Sequence, residues 1–276
     1  MTNLQEAAYP EGFNYEVGSP HLKHARLRSR INVSLQQEVA RLQASKGHCR
    51  VLEIGAGHGS FSGVLIDAGA DLTITEMSRP SAAHLVRIFA GQPNVTVVLD
   101  NDGRWASETD QRFDLVVAIS VLHHIPDYIG AVERYIEMTN EGGSFLSWQD
   151  PAWYPRQSRA QLIAAQSAYF AWRLGQGHIS RGLATRMRRL RGILDDSNAS
   201  DMSEYHLMRN GVDDEALLAL LRMQYERADL VRYWSTQAGP LQRFGDYLAL
   251  EGTFALAARG RRPNPSSSIS VSAARS

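Results

Sequence analysis

The chain has 276 residues, 43% of them hydrophobic, with 29 Lys and Arg against 29 Asp and Glu, a length that suits one large domain or a core domain with an inserted subdomain. This hydrophobic content excludes disorder for most of the chain, and no apolar run approaches the roughly 20 residues of a membrane span. Zero net charge disfavours nucleic acid as a partner, and a single cysteine, Cys49, excludes an internal disulfide and a Cys-rich zinc site.

The N-terminal segment lacks the layout of a secretory signal, so we predict a soluble, cytoplasmic protein without a membrane partner. Residues 1–45 are predicted to form a helical cap. Its clearest pattern is a helix from about Leu27 to Gln43, in which apolar residues recur at spacings of four and three. These residues are Leu27, Ile31, Leu35, Val39 and Leu42.

Residues 46–150 are predicted to form the core, because short apolar runs alternate there with helical patterns. The runs predict strands over Val51–Ile54, Leu72–Thr75, Val95–Leu99, Phe113–Ser120 and Ser144–Trp148. The helical patterns cover Phe61–Ala68, Ser81–Phe89 and Tyr128–Met138. Apolar strands separated by helices are typical of a parallel sheet covered on both faces. The pair Gly142-Gly143 predicts the turn into the fifth strand.

The alternation stops at Asp150-Pro151, and residues 151–210 are predicted to be a helical lid inserted after the fifth strand. Residues 211–259 are predicted to return to the core. Their predicted elements are a helix over Gly211–Tyr225 and strands over Ala228–Trp234 and Tyr247–Ala258. The Arg-, Pro- and Ser-rich end, residues 260–276, is predicted to be a disordered tail.

A glycine-rich loop joins the first strand to the following helix, and it contains Gly55, Gly57 and Gly59 after Glu53. Glycine allows the backbone to turn tightly and to lie against a ligand where a Cβ would collide. A dinucleotide fingerprint would have glycine in place of Ser60, which disfavours a nicotinamide oxidoreductase. The alternative is a tight turn without a ligand.

Polar residues also close the next three strands. Glu76, followed by Met77, ends the second strand, where a carboxylate can accept both hydroxyls of a ribose. Asp100 and Asn101 end the third strand, and Ser120 ends the fourth. Each of these signals alone is weak. The glycine-rich loop and the polar ends of the second, third and fourth strands nevertheless occur in this order between residues 50 and 150.

This ordered set resembles the class I S-adenosylmethionine-dependent methyltransferases of the small-molecule type. The resemblance implies a Rossmann-like α/β fold with a seven-stranded, mostly parallel, doubly wound sheet, in which the two late strands are the family's reversed sixth and seventh strands. It implies S-adenosylmethionine as the cofactor, lined by Glu53, Gly55, Gly57, Gly59, Glu76, Met77, Ser120 and, against the adenine amine, Asp100 or Asn101.

In many relatives an N-terminal helix closes over the cofactor. By this resemblance Arg28, Tyr15 and His24 can contact the methionine carboxylate, with Arg28 the natural anion partner. An ordinary basic surface helix is the alternative interpretation of the same segment.

Methyl transfer from a sulfonium needs a positioned nucleophile, and it needs a base only if the nucleophile arrives protonated. His123 and His124 follow the fourth strand and can take such a proton, although they can equally serve loop structure. Tyr154 and Asp150 lie at the mouth of the fifth strand and resemble, in a displaced position, the Asp-Pro-Pro-Tyr motif of amino-directed methyltransferases. His206 is a further candidate, and no metal cluster is visible.

Eight arginines and no acidic residue lie between Asp150 and Asp195. They are Arg156, Arg159, Arg173, Arg181, Arg186, Arg188, Arg189 and Arg191. Such a segment can clamp an acceptor that carries a carboxylate or phosphate. A solvated or dimer-facing surface is the alternative.

The predicted function is methyl transfer from S-adenosylmethionine to a small molecule of secondary metabolism, with O-methylation favoured over N- or C-methylation. One alternative is an enzyme of the same fold and cofactor that does cyclase-like chemistry. Another is a non-catalytic protein that binds S-adenosylmethionine. The predicted oligomeric state is a monomer or a homodimer.

Overall fold

The computed structural model of the chain describes residues 19–175 and 210–263. The predictions that concern Tyr15, His206, Arg181 to Arg191 and the residues after 263 lie outside the described residues.

Seven strands form one sheet. They are β1 (Arg50–Ile54), β2 (Asp71–Glu76), β3 (Val95–Leu99), β4 (Phe113–Ile119), β5 (Thr139–Pro151), β6 (Tyr225–Tyr233) and β7 (Thr253–Arg261), in the order β3-β2-β1-β4-β5-β7-β6. β1 to β5 pair in parallel, whereas β7 is antiparallel to both β5 and β6. The predicted seven-stranded, mostly parallel sheet is therefore confirmed. The prediction that the sixth strand is reversed is wrong, because only β7 runs against the others.

Helices cover both faces of the sheet. They are α1 (Pro20–Lys23), α2 (Ala25–Lys46), α3 (Ser62–Asp67), α4 (Arg79–Ile88), α5 (Trp105–Glu108), α6 (Tyr128–Glu137), α7 (Arg159–Gly175), α8 (Asp214–Gln224) and α9 (Gly239–Tyr247), with 3₁₀ turns at Leu122–His124 and Tyr154–Arg156. Alternate strand residues point to opposite faces. Val51 and Leu115 therefore pack with α2, α3 and α4, while Leu52 and Val116 pack with α6 and α8.

The described part of the predicted N-terminal cap, from residue 19 onwards, contains two helices with different positions. The long α2 buries its apolar stripe against one face of the sheet, as the spacing of four predicts. The short α1 instead lies at the edge of the sheet where the parallel strands end, because its side chains contact the loop after β1 and the segment after β6.

Two boundaries near the C-terminus differ from the predictions. The strand predicted from Tyr247 begins only at Thr253, since Gly239–Tyr247 is a helix with Pro240 in its first turn, where a missing N–H costs nothing. Gly260 and Arg261 belong to β7, although a tail was predicted there, and the buried Arg261 side chain donates to the carbonyl oxygen of Ile136.

The fifth strand begins before the predicted glycine turn. β5 pairs with β4 from Thr139, and the irregularity in that pairing falls beside Gly142. Within the described parts of the chain, no helix has both the length and the apolar character to cross a membrane.

The inserted segment after β5 is tied to the core at its two ends. Ala152 forms a parallel bridge with Val212, and the backbone N–H of Tyr154 donates to the carbonyl of Asn210 at 2.8 Å. Gly211 sits between them, and a Cβ there would fall 2.5 Å from the carbonyl oxygen of Ala152. The chain therefore leaves and re-enters the sheet at one fixed point.

Candidate functional site

The candidate site lies where the parallel strands end, which is the edge at which open α/β sheets bind ligands. Gly55, Gly57 and Gly59 form the loop after β1, with φ angles of +63°, +58° and +78°. These angles lie in the left-handed region, which glycine adopts without steric cost. The sequence prediction of a glycine-dependent turn at this place agrees with the backbone.

Gly55 also allows a close approach between two loops. A Cβ on Gly55 would lie 2.5 Å from Cγ2 of Val121, in the turn that follows β4. Similarly, a Cβ on Gly59 would lie 2.9 Å from Cδ2 of Leu85 on α4. The loop therefore rests against its neighbours where no side chain could fit.

Glu76 closes β2 beneath this loop. Its Oε2 accepts the N–H of Gly57 at 2.9 Å, and its Oε1 accepts the N–H of Ser78 at 2.9 Å. Burial raises the pKa of Glu76, against these N–H donors, which lower it. Each carboxylate oxygen keeps a second lone pair. The group can therefore accept two neighbouring hydroxyls, as a ribose presents them, while Met77 beside it is half-buried.

Glu53 lies under the loop instead of in the cleft. It is only 2% exposed, and its Oε2 accepts a hydrogen bond from the Ser62 hydroxyl at 2.6 Å. Burial, with a smaller contribution from Glu76, raises the pKa of Glu53 to about 7, although the Ser62 bond lowers it. Glu53 thus ties β1 to the first turn of α3, and a protonated form is accessible at neutral pH.

Asp100 and Asn101 are both half-buried at the end of β3. Oδ1 of Asp100 accepts the N–H of Trp105 at 3.2 Å, which ties the carboxylate to the start of α5. Ser120, at the end of β4, has a left-handed φ of +57° and donates its N–H to the carbonyl of Trp148 at 2.7 Å. This conformation is costly for a residue with a side chain.

A β-bulge in β5 brings two polar side chains together. Ser147 and Asp150 are three residues apart and would face opposite sides of a regular strand. Gln149, with a φ of +70°, takes up an extra position in the pairing with β7. As a result the Ser147 hydroxyl donates to Oδ2 of Asp150 at 3.1 Å.

The same carboxylate holds His123. Nδ1 of His123 lies 2.8 Å from Oδ1 of Asp150, and the backbone N–H of His123 donates to that oxygen at 3.2 Å. Burial raises the pKa of Asp150, while hydrogen bonds from His123 and Ser147 lower it. Burial lowers the pKa of His123, so the ring is neutral at pH 7. Even with these hydrogen bonds the pKa of Asp150 is raised to about 7, so its carboxylate and its protonated form are both accessible at neutral pH. In the carboxylate form, Asp150 accepts a hydrogen bond from His123 with the proton of the imidazole on Nδ1.

The other predicted catalytic residues are placed differently. The ring of His124 lies against that of His123, with 4.0 Å between their centroids, and burial lowers the pKa of His124 to about 3. Tyr154 lies in the 3₁₀ turn that is bonded to Asn210. The structure therefore joins His123 to Asp150.

The residues predicted to contact the methionine carboxylate from the N-terminal segment have different surroundings. Nε2 of His24 lies 2.7 Å from the carbonyl oxygen of Thr236, so this ring is already held by the protein. Arg28 is half-buried on α2. Sequence reasoning missed His21 on α1, which is buried and stacks on Phe61 with 5.9 Å between ring centroids. A histidine within a basic stretch gave no signal of burial.

Arg156 does not remain available to clamp an acceptor, contrary to its place in the predicted arginine clamp. Its guanidinium pairs with Asp213 and Asp214, and also approaches Glu215 at 3.7 Å. These pairs raise the pKa of Arg156. The residue therefore secures the ends of the inserted segment.

Across residues 19–175 and 210–263, no three His, Cys, Asp or Glu side chains lie close enough together to hold a metal ion. Among the same residues, Nδ1 of His21 is a buried atom without a hydrogen-bond partner. Together with the loop at Gly55, where a Cβ would collide, this arrangement fits an organic ligand with polar groups.

Comparisons with known proteins agree with this geometry. A family model described as a methyltransferase domain matches residues 26–190. The ubiquinone biosynthesis O-methyltransferase of Proteus mirabilis (strain HI4320) is 25% identical over 176 residues, which are 62% of this chain and 69% of that protein. Further ubiquinone biosynthesis O-methyltransferases match over 40% to 53% of their own length.

Two solved structures share the fold over nearly the whole chain. The N-methyltransferase NodS from Bradyrhizobium japonicum WM9, in complex with S-adenosyl-L-homocysteine, has a TM-score of 0.51 and 16% identity, and the match covers 95% of this chain and 97% of NodS. The plantazolicin methyltransferase BpumL, in complex with the same compound, has a TM-score of 0.52 and 13% identity, with 94% and 95% covered.

The contact between Gly55 and Val121 leads to a first prediction. Gly55→Ala should lower the free energy of unfolding by about 2–4 kcal/mol. The new methyl group would overlap Val121, and the alanine would have to keep a left-handed φ. The substitution should also abolish binding of S-adenosylhomocysteine in calorimetric titration. Gly63→Ala is the matched control, since Gly63 lies in α3 with nothing within 4 Å of its added Cβ. A Gly55→Ala protein as stable as wild type would contradict the proposed contact.

The burial of Glu53 leads to a second prediction. Because the folded-state pKa is raised, wild-type stability should fall as the pH rises from the unfolded value, about 4.3, through about 7. Glu53→Gln removes this titration and can keep the bond to Ser62. The difference in free energy of unfolding between Glu53→Gln and wild type, measured in urea, should therefore shift by about 2–3 kcal/mol in favour of the variant when the pH is raised from 5 to 8. Glu133→Gln, on the exposed side of α6, is the control, and equal pH dependence of wild type and Glu53→Gln would refute the argument.

Proposed function

The chain belongs to the methyltransferase-domain family and uses S-adenosylmethionine as its methyl donor, and from this premise we propose that it methylates a hydroxyl group of a small molecule with His123 as the base. The observation that carries the proposal is the contact between His123 and the buried Asp150. The chemistry that the cofactor supplies when bound is an electrophilic methyl group on a sulfonium.

The residues around the glycine loop suit the parts of this cofactor. The Glu76 carboxylate would accept the ribose hydroxyls, and Asp100 or Asn101 would face the adenine at the end of β3. Gly55 and Gly57 would let the backbone lie close to the remainder of the molecule. Glu53 would act indirectly, since it holds the loop from below through Ser62.

His123 would take the proton of the acceptor. A neutral imidazole that donates from Nδ1 to Asp150 has its lone pair on Nε2, and this nitrogen can accept a proton from a hydroxyl. The Asp150 carboxylate fixes the tautomer and would stabilise the imidazolium that forms, as in other His–Asp pairs. His124 packs against the ring but has no comparable carboxylate contact among the described residues.

Oxygen is favoured as the methylated atom for two reasons. A hydroxyl remains protonated at neutral pH and gains reactivity when a base removes its proton. The curated relatives are also named as O-methyltransferases. An acceptor from secondary metabolism stays a prediction, because those relatives are named for ubiquinone biosynthesis. An anionic acceptor stays a prediction as well, but Arg156 is no longer among the residues expected to bind it, because it pairs with Asp213 and Asp214.

This assignment predicts that the two adjacent histidines differ in effect. With an acceptor identified from a panel of phenols, aliphatic alcohols and amines, His123→Gln should lower kcat about 10²–10⁴-fold, because the base is lost. His124→Gln should lower it by less than about tenfold, because that ring is only a packing partner. Release of S-adenosylhomocysteine measures the turnover in both cases.

The dependence on Asp150 supplies the second arm of the test. Asp150→Asn should also lower kcat by at least about tenfold, since an amide can donate to Nδ1 and so favour the wrong tautomer. The residual activity of His123→Gln should rise with pH as the acceptor ionises by itself. Turnover by His123→Gln at the wild-type rate, or acceptance of amines alone, would refute a hydroxyl-directed base.

A further inference from the structure

The short helix α1 spans the edge of the sheet above the strand ends. At one side the ring of His21 stacks on Phe61, directly after the glycine loop, with 5.9 Å between centroids and 21° between planes. At the other side Lys23 Nζ donates to the carbonyl of Gln237 at 3.1 Å, and His24 is bonded to that of Thr236 at 2.7 Å. The position of His21 is therefore fixed by contacts at both ends of its helix.

The imidazole of His21 is buried without a complete set of partners. The residue is 6% exposed, and Nδ1 is buried with no hydrogen-bond partner within the described residues. Burial lowers the pKa of His21 to about 4, so the ring is neutral at pH 7 and carries a proton on one nitrogen. A buried polar atom of this kind is costly unless a ligand supplies the missing bond.

The strand order indicates which part of the cofactor would lie there. Asp100 and Asn101 stand at the end of β3 and Glu76 at the end of β2, so the adenine and ribose would occupy that half of the edge. β1 and then β4 come next in the sheet. The amino-acid end of the cofactor would therefore extend over Gly55 towards β4. His21 lies in this direction, since its ring stacks on Phe61 and is close enough to His123 to lower the pKa of that histidine.

We propose that Nδ1 of His21 hydrogen-bonds to the carboxylate of the methionine part of S-adenosylmethionine and so positions the donor. An imidazole N–H is a suitable donor to a carboxylate, and such a charged acceptor strengthens the bond. Of the two imidazoles on this segment, that of His24 is already bonded to Thr236, whereas Nδ1 of His21 still lacks a partner among the described residues. This assignment concerns cofactor binding and does not depend on the role of His123 as a base.

The binding of two ligands can be compared to distinguish loss of this one contact from general damage to the site. S-adenosylhomocysteine carries the carboxylate, whereas 5′-deoxy-5′-methylthioadenosine lacks the whole amino-acid end. His21→Phe keeps a ring against Phe61 and removes both nitrogens, while His21→Asn places an amide nitrogen near the position of Nδ1. His48→Phe is the matched control, because that side chain is 58% exposed and precedes β1 at the opposite edge.

Calorimetric titration should show that His21→Phe lowers the affinity for S-adenosylhomocysteine at least about tenfold, as expected for loss of one bond to a charged group. The affinity for 5′-deoxy-5′-methylthioadenosine should fall less than about twofold. His21→Asn should recover most of the affinity, and His48→Phe should match wild type. Equal weakening of both ligands, or of neither, would overturn the proposal. Because this comparison measures the binding of two ligands and not turnover, failure of the proposed base would appear in kcat and leave the comparison intact.

Discussion

The contact between Gly55 and Val121 couples the two halves of the site. Because Gly55 has no Cβ, the loop after β1 can lie against the turn after β4, and Val121 fills the space that a side chain would need. The same turn continues into Leu122–His124 and so carries His123. One steric constraint thus fixes the backbone that would cradle the cofactor and the residue that would activate the acceptor. A shift of either loop would change both.

Buried carboxyl groups then supply the polarity of the site at defined points. Glu53, Glu76 and Asp150 stand in or at the ends of β1, β2 and β5, and each is at most 8% exposed. Burial of a charge is unfavourable unless donors surround it, and here those donors are a hydroxyl, loop N–H groups and the His123 ring. The buried acids therefore stabilise the observed arrangement of the loops, since moving a loop away would remove donors from a buried carboxylate.

The sequence was sufficient where function depends on local spacing. Gly55 to Gly59 followed by Glu76 could be predicted because the turn and the strand end need those residue types at those places. The pairing of Ser147 and Asp150 could not be predicted, since period-two alternation places them on opposite faces and only the bulge at Gln149 reverses this. His21 was missed because its burial depends on its tertiary contact with Phe61 and on the anchoring of the neighbouring His24 at Thr236. Arg156 was misinterpreted because its acidic partners lie 57 or more residues away in the sequence.

The pairing of Arg156 with Asp213 and Asp214 also separates the inserted segment from the chemistry. Ala152 and Val212 form a bridge immediately after β5, and Arg232 on β6 binds the same Asp214 at 2.6 Å. These contacts fix the two ends of the segment close to Asp150, which precedes Ala152 by two residues. The carboxylate that contacts His123 therefore lies next to the fixed ends of the segment. The anchoring of the inserted segment and the contact between Asp150 and His123 are thus made by different side chains, although both follow the end of the same strand.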